Sequence, residues 1–373
     1  MSKGKTLIIG LLVIVLGLGG IFTVYQKRNA VVAVNGAEET APTPIYEAAG
    51  PEAQDVVYEA SNGIMPGLYI GEGYLAKDNL THNEDGTVTY LGETWKRNTY
   101  MHAILCLGVD QHANMATVQV GERTGTSDGM FLIAQDTAHD LIKVVMIPRD
   151  SMLEMELMNG DWSTYYGFSH IKFAFSNGDR RESSAESSVK AVEDLLCGLE
   201  IDHYIAGDLG LLAEVNDLVG GVTVTIPSSE LTKVNPDWTQ GTEVTLHGDE
   251  AERFIRYRDT SIVGTALERM NQHKAYITGF YKAIKVSSQK DSSLVIKLCD
   301  TVEDSIVSDM SKGEYERLAL DGLKCGFNTD SDILSLPGEM TFGEEDGEIL
   351  DQFYIDYEQT IPILLDLFYR KVS

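Results

Sequence analysis

Three short apolar runs decide how this chain folds: AILCLGV from Ala103 to Val109, MFLIAQ from Met130 to Gln135, and IKVVMI from Ile142 to Ile147. Each has strand length and is apolar almost throughout, the pattern of strands covered on both faces. Only six residues, DTAHDL, join the second run to the third. A crossover between parallel strands takes a dozen residues or more, so these two strands should pair antiparallel. The link from the first to the second, Asp110 to Gly129, is long, polar and rich in Gly, Thr and Ser.

Further along, the period changes. Ser183 to Leu196 reads as a helix: SSAE is a capping-box pattern, Val189, Val192, Leu195 and Leu196 form a stripe, and Gly198 is a stop. Ile201 to Ala206 reads as a strand, Leu209 to Leu218 as a helix, and Val222 to Ile226 as a strand after Gly220-Gly221. Asp249 is placed to cap a short helix over Glu250 to Tyr257, with Glu252 three residues on, and a longer helix runs from Thr265 to about Val286. This succession implies an α/β fold, with a central mixed β-sheet sandwiched between helices. Before it, Leu68 to Ile70 and Thr87 to Leu91, with the turn Glu84-Asp85-Gly86 between, suggest a small N-terminal accessory hairpin.

Leu7 to Val24 carries no charge and as a helix would span roughly 27 Å, about the thickness of a bilayer core. Lys3 and Lys5 precede it and favour a cytoplasmic N-terminus, while Lys27 and Arg28 weaken the asymmetry. A transmembrane anchor is the preferred reading; a cleaved signal peptide, with VVAVNGA as a poor cleavage site, is the rival. Both place the body outside the cytoplasm. The expected divisions are a cytoplasmic N-terminus (1–6), the anchor (7–24), an extracytoplasmic linker rich in Ala, Glu, Pro and Thr (25–60), the hairpin region (61–99), a catalytic domain (100–290) and a C-terminal extension packed on it (291–373).

A formal net charge of -28 excludes binding of nucleic acid or anionic lipid through bulk charge, so any anion site must be a local cluster of Arg. Cys106, Cys197, Cys299 and Cys325 show no CxxC spacing, Cys106 reads as a core residue, and a Cys299–Cys325 bridge is one option outside the cytoplasm. The eight His contain no HxxxH pair. Gly125-Thr-Ser-Asp-Gly129 matches a nucleophile elbow in letters, but a loop precedes it and a strand follows, the reverse of what the elbow needs.

Two constellations could carry chemistry. Asp110 follows the first strand, Asp128 precedes the second, and Arg149 follows the third across Pro148. In an antiparallel meander all three meet at one sheet edge, where carboxylates could hold Mg²⁺ and a guanidinium could grip phosphoryl oxygens. Asp at strand ends also simply makes turns, and topology alone does not decide between the two. Arg256 and Arg258 form the second cluster in FIRYRDT, followed by Arg269 and His273 at i, i+4 on one helix face, with Tyr276 and Phe280 continuing that line. Leu267, Met270, Ile277, Tyr281 and Ile284 mark another face. Arg beside acids is more often a solvated ion pair than a clamp, so spacing alone leaves this cluster open.

The order of motifs resembles the LytR-CpsA-Psr family. The chain carries Leu107-Gly-Val-Asp110, Ser127-Asp128, Ile147-Pro-Arg-Asp150, His170-Ile-Lys-Phe-Ala174 through Gly178, Ile201-Asp-His-Tyr204, Gly220-Gly-Val-Thr-Val224, Leu246-His-Gly-Asp-Glu-Ala251, Arg256-Tyr-Arg258 and Arg269. The resemblance covers roughly residues 100 to 285. It implies a membrane-anchored phosphotransferase, with its catalytic domain outside the cytoplasm, that moves an undecaprenyl-pyrophosphate-linked glycopolymer onto peptidoglycan and releases polyprenyl phosphate. It also implies a long apolar groove for the polyprenyl tail. By resemblance, Asp110 and Asp128 are the carboxylates for Mg²⁺, with Mn²⁺ as a substitute. Arg149, Arg256, Arg258 and Arg269 form the pyrophosphate clamp, with Gln272 and His273 alongside. The chain departs from the family where R-x-x-R-Q becomes Arg269-Met-Asn-Gln272-His273, and where an Asp three residues earlier is Ala266. That removes one cation and leaves the general base unassigned. A lipid pyrophosphatase and a lipid- or glycan-binding protein without turnover are the alternatives. On this reading Arg149→Ala or Arg258→Ala abolishes transfer and leaves the fold intact.

Overall fold

The structure is a computed structural model and describes residues 72–110, 125–158, 163–208, 210–259, 265–322, 327–345 and 348–372. A short helix α1 (Glu72–Leu75) leads into strands β1 (Leu80–His82), β2 (Thr87–Tyr90) and β3 (Glu93–Arg97), then β4 (Met101–Val109), β5 (Ser127–Asp136) and β6 (Leu141–Met146). A hairpin β7 (Met152–Met158) and β8 (Thr164–His170), helix α2 (Glu182–Leu195), β9 (His203–Asp208), α3 (Leu211–Leu218), β10 (Val222–Thr225) and β11 (Glu243–Leu246) follow. Next come α4 (Asp249–Arg256), the long α5 (Thr265–Lys290), α6 (Leu294–Val302), β12 (Ile306–Ser308) and α7 (Lys312–Gly322). The chain closes with β13 (Ile333–Ser335), the hairpin β14 (Gly338–Glu345) and β15 (Glu348–Ile355), α8 (Tyr357–Phe368) and β16 (Tyr369–Lys371).

The central sheet has the order β12-β9-β4-β5-β6-β13. β4, β5 and β6 form the antiparallel meander that the short DTAHDL link requires, while β9 joins β4 and β13 joins β6 in parallel. The sheet is therefore mixed. Its apolar runs are continuous because both faces are covered. Ile104, Cys106, Phe131, Ile133 and Val144 point into one core with α3 to α7, and Ala103, Leu105, Leu107, Leu132 and Val145 into another with α2 and α8. Cys106 is fully buried in the first core; Cys325 lies outside the described residues, as do the linker and the run 7–24. No helix among the described residues is long and apolar enough to cross a membrane.

Three local details differ from the sequence pattern. Of the expected accessory hairpin, Leu68 to Ile70 lie outside the described residues, and Thr87 to Tyr90 form β2 of a β1-β2-β3 meander that β16 completes. Helix α2 starts one residue earlier than the pattern, at Glu182, with Arg181 at the cap position and no side-chain cap, and the Ser183 and Ser184 hydroxyls accept from the N–H groups of Asp179 and Arg180 in the preceding loop. Gly248, at φ 50°, takes the cap position of α4 in place of Asp249, and the Glu250 carboxylate accepts from the His247 N–H.

Helix α5 lies against β10 at Gly279. A Cβ there would come within 2.8 Å of Val222 Cγ1 and collide with the Thr223 carbonyl. Gly279→Ala would stabilise an exposed helix by about 1 kcal/mol. Here overpacking reverses the sign, and urea denaturation should show a loss of about 2 kcal/mol.

Candidate functional site

Strand direction assembles the site. Val109 pairs with Ser127 and Phe131 with Met146, so the C-terminal ends of β4 and β6 and the N-terminal end of β5 share one sheet edge. Asp110 and Arg149 leave from that edge. Asp128 lies within β5, because that strand begins at Ser127, three residues ahead of its apolar run. The C-terminus of α4 and the N-terminus of α5 approach the same edge and bring Arg256, Arg258, Arg269 and His273.

The charged groups alternate in sign. Arg256 donates from Nη2 to Asp110 at 3.1 Å and from Nη1 to Glu252, one turn earlier in α4, at 2.6 Å. Arg149 pairs with Asp128 and lies 3.5 Å from Asp150, which also accepts from Lys172 Nζ at 2.7 Å. Arg258 donates to Asp351 at 3.3 Å. Arg269 is 2% exposed and close enough to Arg149, Asp128, Asp150 and Arg258 for each charge to act on it. All four Arg and both Asp chosen from sequence therefore fall in one electrostatically coupled cluster.

Asp128, Arg149, Asp150, Arg269 and His273 face a narrow crevice whose other walls include Met130, Met146, Ile147, Met270 and Met340. This apolar lining is short. A wider groove of about 630 Å³ runs between α5 and β10 on the opposite face of the helix, past Lys274, Lys282 and Lys290, and includes none of the site residues. Gln272 does not reach the crevice: its amide donates to the carbonyls of Phe254 at 2.6 Å and Tyr257 at 3.1 Å, tying α5 to the end of α4. It thus fixes the segment that carries Arg256 and Arg258.

Burial pushes the Asp110 carboxyl up to about 7; Arg256 opposes the shift and the Asp128 charge adds to it. Burial, then the Arg149 charge, pulls the Arg269 guanidinium down to about 9, so it remains a cation at neutral pH. Burial would also raise Asp150, but Arg149 and Lys172 more than reverse it and hold that carboxyl well below its ordinary range. Asp128 Oδ2, Asp150 Oδ2, Arg269 Nη1 and Arg258 Nε are buried without a hydrogen-bond partner among the described residues. Unsatisfied buried atoms of both signs fit an anion and a cation bound together: phosphoryl oxygens on the N–H groups, and a hard divalent ion on carboxylate oxygens. The unsatisfied carboxylate oxygens belong to Asp128 and Asp150, while Asp110 is held by Arg256, and the described residues contain no group of three or more His, Cys, Asp or Glu side chains that could hold a metal ion.

Sequence reasoning passed over Asp150, Lys172, Glu252 and Asp351. The first two stand inside quoted motifs, directly after Arg149 and two residues after His170. Glu252 could have been found as the i, i+4 partner of Arg256. Nothing local marks Asp351, which arrives from 93 residues beyond Arg258.

A mixed sheet covered by helices, with guanidiniums and carboxylates interleaved at one edge, defines an α/β protein with a buried paired-charge site. The particular family follows from comparison: residues 75–346 match the LytR_cpsA_psr family, and the chain belongs to it. It is 24% identical over 242 residues to the polyisoprenyl-teichoic acid–peptidoglycan teichoic acid transferase TagV of Bacillus subtilis, covering 63% of this chain and 56% of that protein. To the corresponding TagU of Bacillus anthracis it is 28% identical over 224 residues, 57% of this chain and 66% of that one. Among solved structures it resembles Bacillus subtilis TagV, with a TM-score of 0.52 and 21% identity over 72% of this chain and 97% of that one. It also resembles the protein gbs0355 of Streptococcus agalactiae, with a TM-score of 0.54 and 19% identity over 72% and 88%. The fold is shared; the chain spans little more than half the length of the TagV relative.

One sequence expectation needs correcting. Arg149 is not a peripheral strand-end residue: it is 6% exposed and sits between two buried carboxylates. Arg149→Ala removes the ion-pair partner of buried Asp128, while Asp150 keeps Lys172, so the fold should lose about 3–5 kcal/mol. Chemical denaturation of the variant checks this; a loss below about 1 kcal/mol, the range of exposed pairs, would contradict the burial.

Proposed function

We propose that this chain transfers a glycopolymer from undecaprenyl pyrophosphate to peptidoglycan, with release of polyprenyl phosphate. The observation that carries the reading is the convergence of Arg149, Arg256, Arg258 and Arg269, from separate elements, around Asp110 and Asp128. The similarity to transferases named for teichoic acid and peptidoglycan supports this class of donor and acceptor.

In the proposed step an acceptor hydroxyl of peptidoglycan attacks the phosphorus on the sugar side of the pyrophosphate. A new P–O bond forms, the bridging P–O bond breaks, and the electron pair leaves with polyprenyl phosphate. The proton of the hydroxyl passes to a base that this reading leaves unassigned. The four guanidiniums hold the phosphoryl oxygens and stabilise charge as it moves to the leaving group, the main demand in phosphoryl transfer. A Mg²⁺ ion on Asp110 and Asp128, with Mn²⁺ as a substitute, would neutralise further phosphate charge. The run 7–24 would hold the site outside the cytoplasm, beside its lipid donor. A catalytically weak lipid- or glycan-binding protein is the second reading. Its support is Gln272, which stands where the family has a second Arg and whose amide is committed to backbone carbonyls.

The test uses the full chain in nanodiscs with a lipid-pyrophosphate-linked saccharide, with and without peptidoglycan fragments. Transfer should require the acceptor, and Arg258→Ala should slow it by about 100-fold or more, the loss typical of removing one charge-stabilising group. Phosphate release independent of acceptor would favour a pyrophosphatase, and binding without turnover the second reading. Divalent-cation binding, measured directly, should tighten as pH rises through about 7, because Asp110 is neutral below that value and a carboxylate above it. A flat profile between pH 6 and about 8 would remove Asp110 from the cation site.

A further inference from the structure

The family match ends at residue 346, yet the next strand reaches the site. In β15, Asp351 has a side chain 5% exposed and accepts from Arg258 Nη1 at 3.3 Å. The strand is pinned there by several bonds. The Phe353 N–H donates to the Asp150 carbonyl at 2.8 Å, and the Asp351 carbonyl bonds His170 Nε2 at 2.8 Å. Tyr354 stacks on Phe168 with ring centroids 6.2 Å apart. Its hairpin partner β14 supplies Met340 to the crevice wall.

We propose that Asp351 is a positioning residue for Arg258, and that the C-terminal hairpin is therefore part of the anion-binding unit. This rests on the transferase reading above. A guanidinium is planar, so holding one Nη fixes the plane and aims the remaining N–H groups. Arg258 follows α4 outside any helix or strand, so no helix restrains its side chain. Asp351 takes Nη1, and the buried Nε has no acceptor among the described residues. The carboxylate engages one corner of the fork and leaves another for phosphate. Asp351 touches no reacting atom in this scheme; it acts through Arg258.

The experiment measures binding of inorganic pyrophosphate to the full chain by calorimetry, with melting temperatures recorded in parallel. Asp351→Ala should weaken binding about tenfold, the effect of one charge-assisted hydrogen bond. Asp351→Asn keeps an acceptor oxygen but loses the charge, and should weaken it about threefold. In Arg258→Ala the second change Asp351→Ala should add nothing to the loss of binding, since the proposed effect on the ligand runs through that guanidinium. If Asp351→Ala does not fold, the Asn variant carries the test. Unchanged binding in the variant that folds, or losses that multiply in the double variant, would overturn the assignment. Tighter binding would overturn it too, showing a carboxylate that competes with the ligand. If the unaltered chain does not bind pyrophosphate, the transferase reading falls, and this inference with it.

Discussion

The architecture of the site depends on one constraint: charges taken out of water must be paired. Asp128, Arg149, Asp150 and Lys172 are all nearly inaccessible, and each ion has an opposite charge beside it. Isolated burial of any one would cost several kcal/mol, so the four are stable there only together. Replacing such a group with well-packed apolar side chains is often neutral or stabilising. A cluster of this kind at a sheet edge is weak evidence for a structural staple and supports the proposed ligand site. The unfilled positions on Asp128, Asp150, Arg258 and Arg269 are consistent with that.

The fold supplies what the cluster needs. The two cores on either side of the sheet lock the meander, and the meander fixes the spacing of Asp110, Asp128 and Arg149. The helices add the other half. Gln272 ties α5 to the end of α4, and the close contact of Gly279 with β10 sets the depth of α5, so Arg256, Arg258 and Arg269 are placed as one group. The C-terminal hairpin closes the remaining side with Asp351 and Met340.

Much of this was legible in the sequence, for physical reasons. Continuous apolar runs joined by a six-residue link permit few topologies, and the antiparallel meander was among them. Motif order then singled out the family, and the meeting of Asp110, Asp128 and Arg149 followed from strand direction, whereas Arg256, Arg258 and Arg269 joined them by resemblance alone. What could not be read depended on contacts between distant segments. Asp351 has no local signature, and β16 completes the first sheet from the far end of the chain. The degree of burial of Arg149 was also hidden, because a strand-end Arg looks solvent-facing until the element that covers it is known. The capping box at Ser183 failed because the helix begins at Glu182, which puts Ser183 inside the first turn, where its hydroxyl serves the preceding loop.

A crystal structure of the full chain with a polyprenyl pyrophosphate bound tests the central claim most directly. The account places the two phosphates at the β4–β5–β6 edge, with oxygens within about 3 Å of Arg149, Arg258 and Arg269 nitrogens. Phosphates bound elsewhere, for example among the lysines of the groove between α5 and β10, would contradict it.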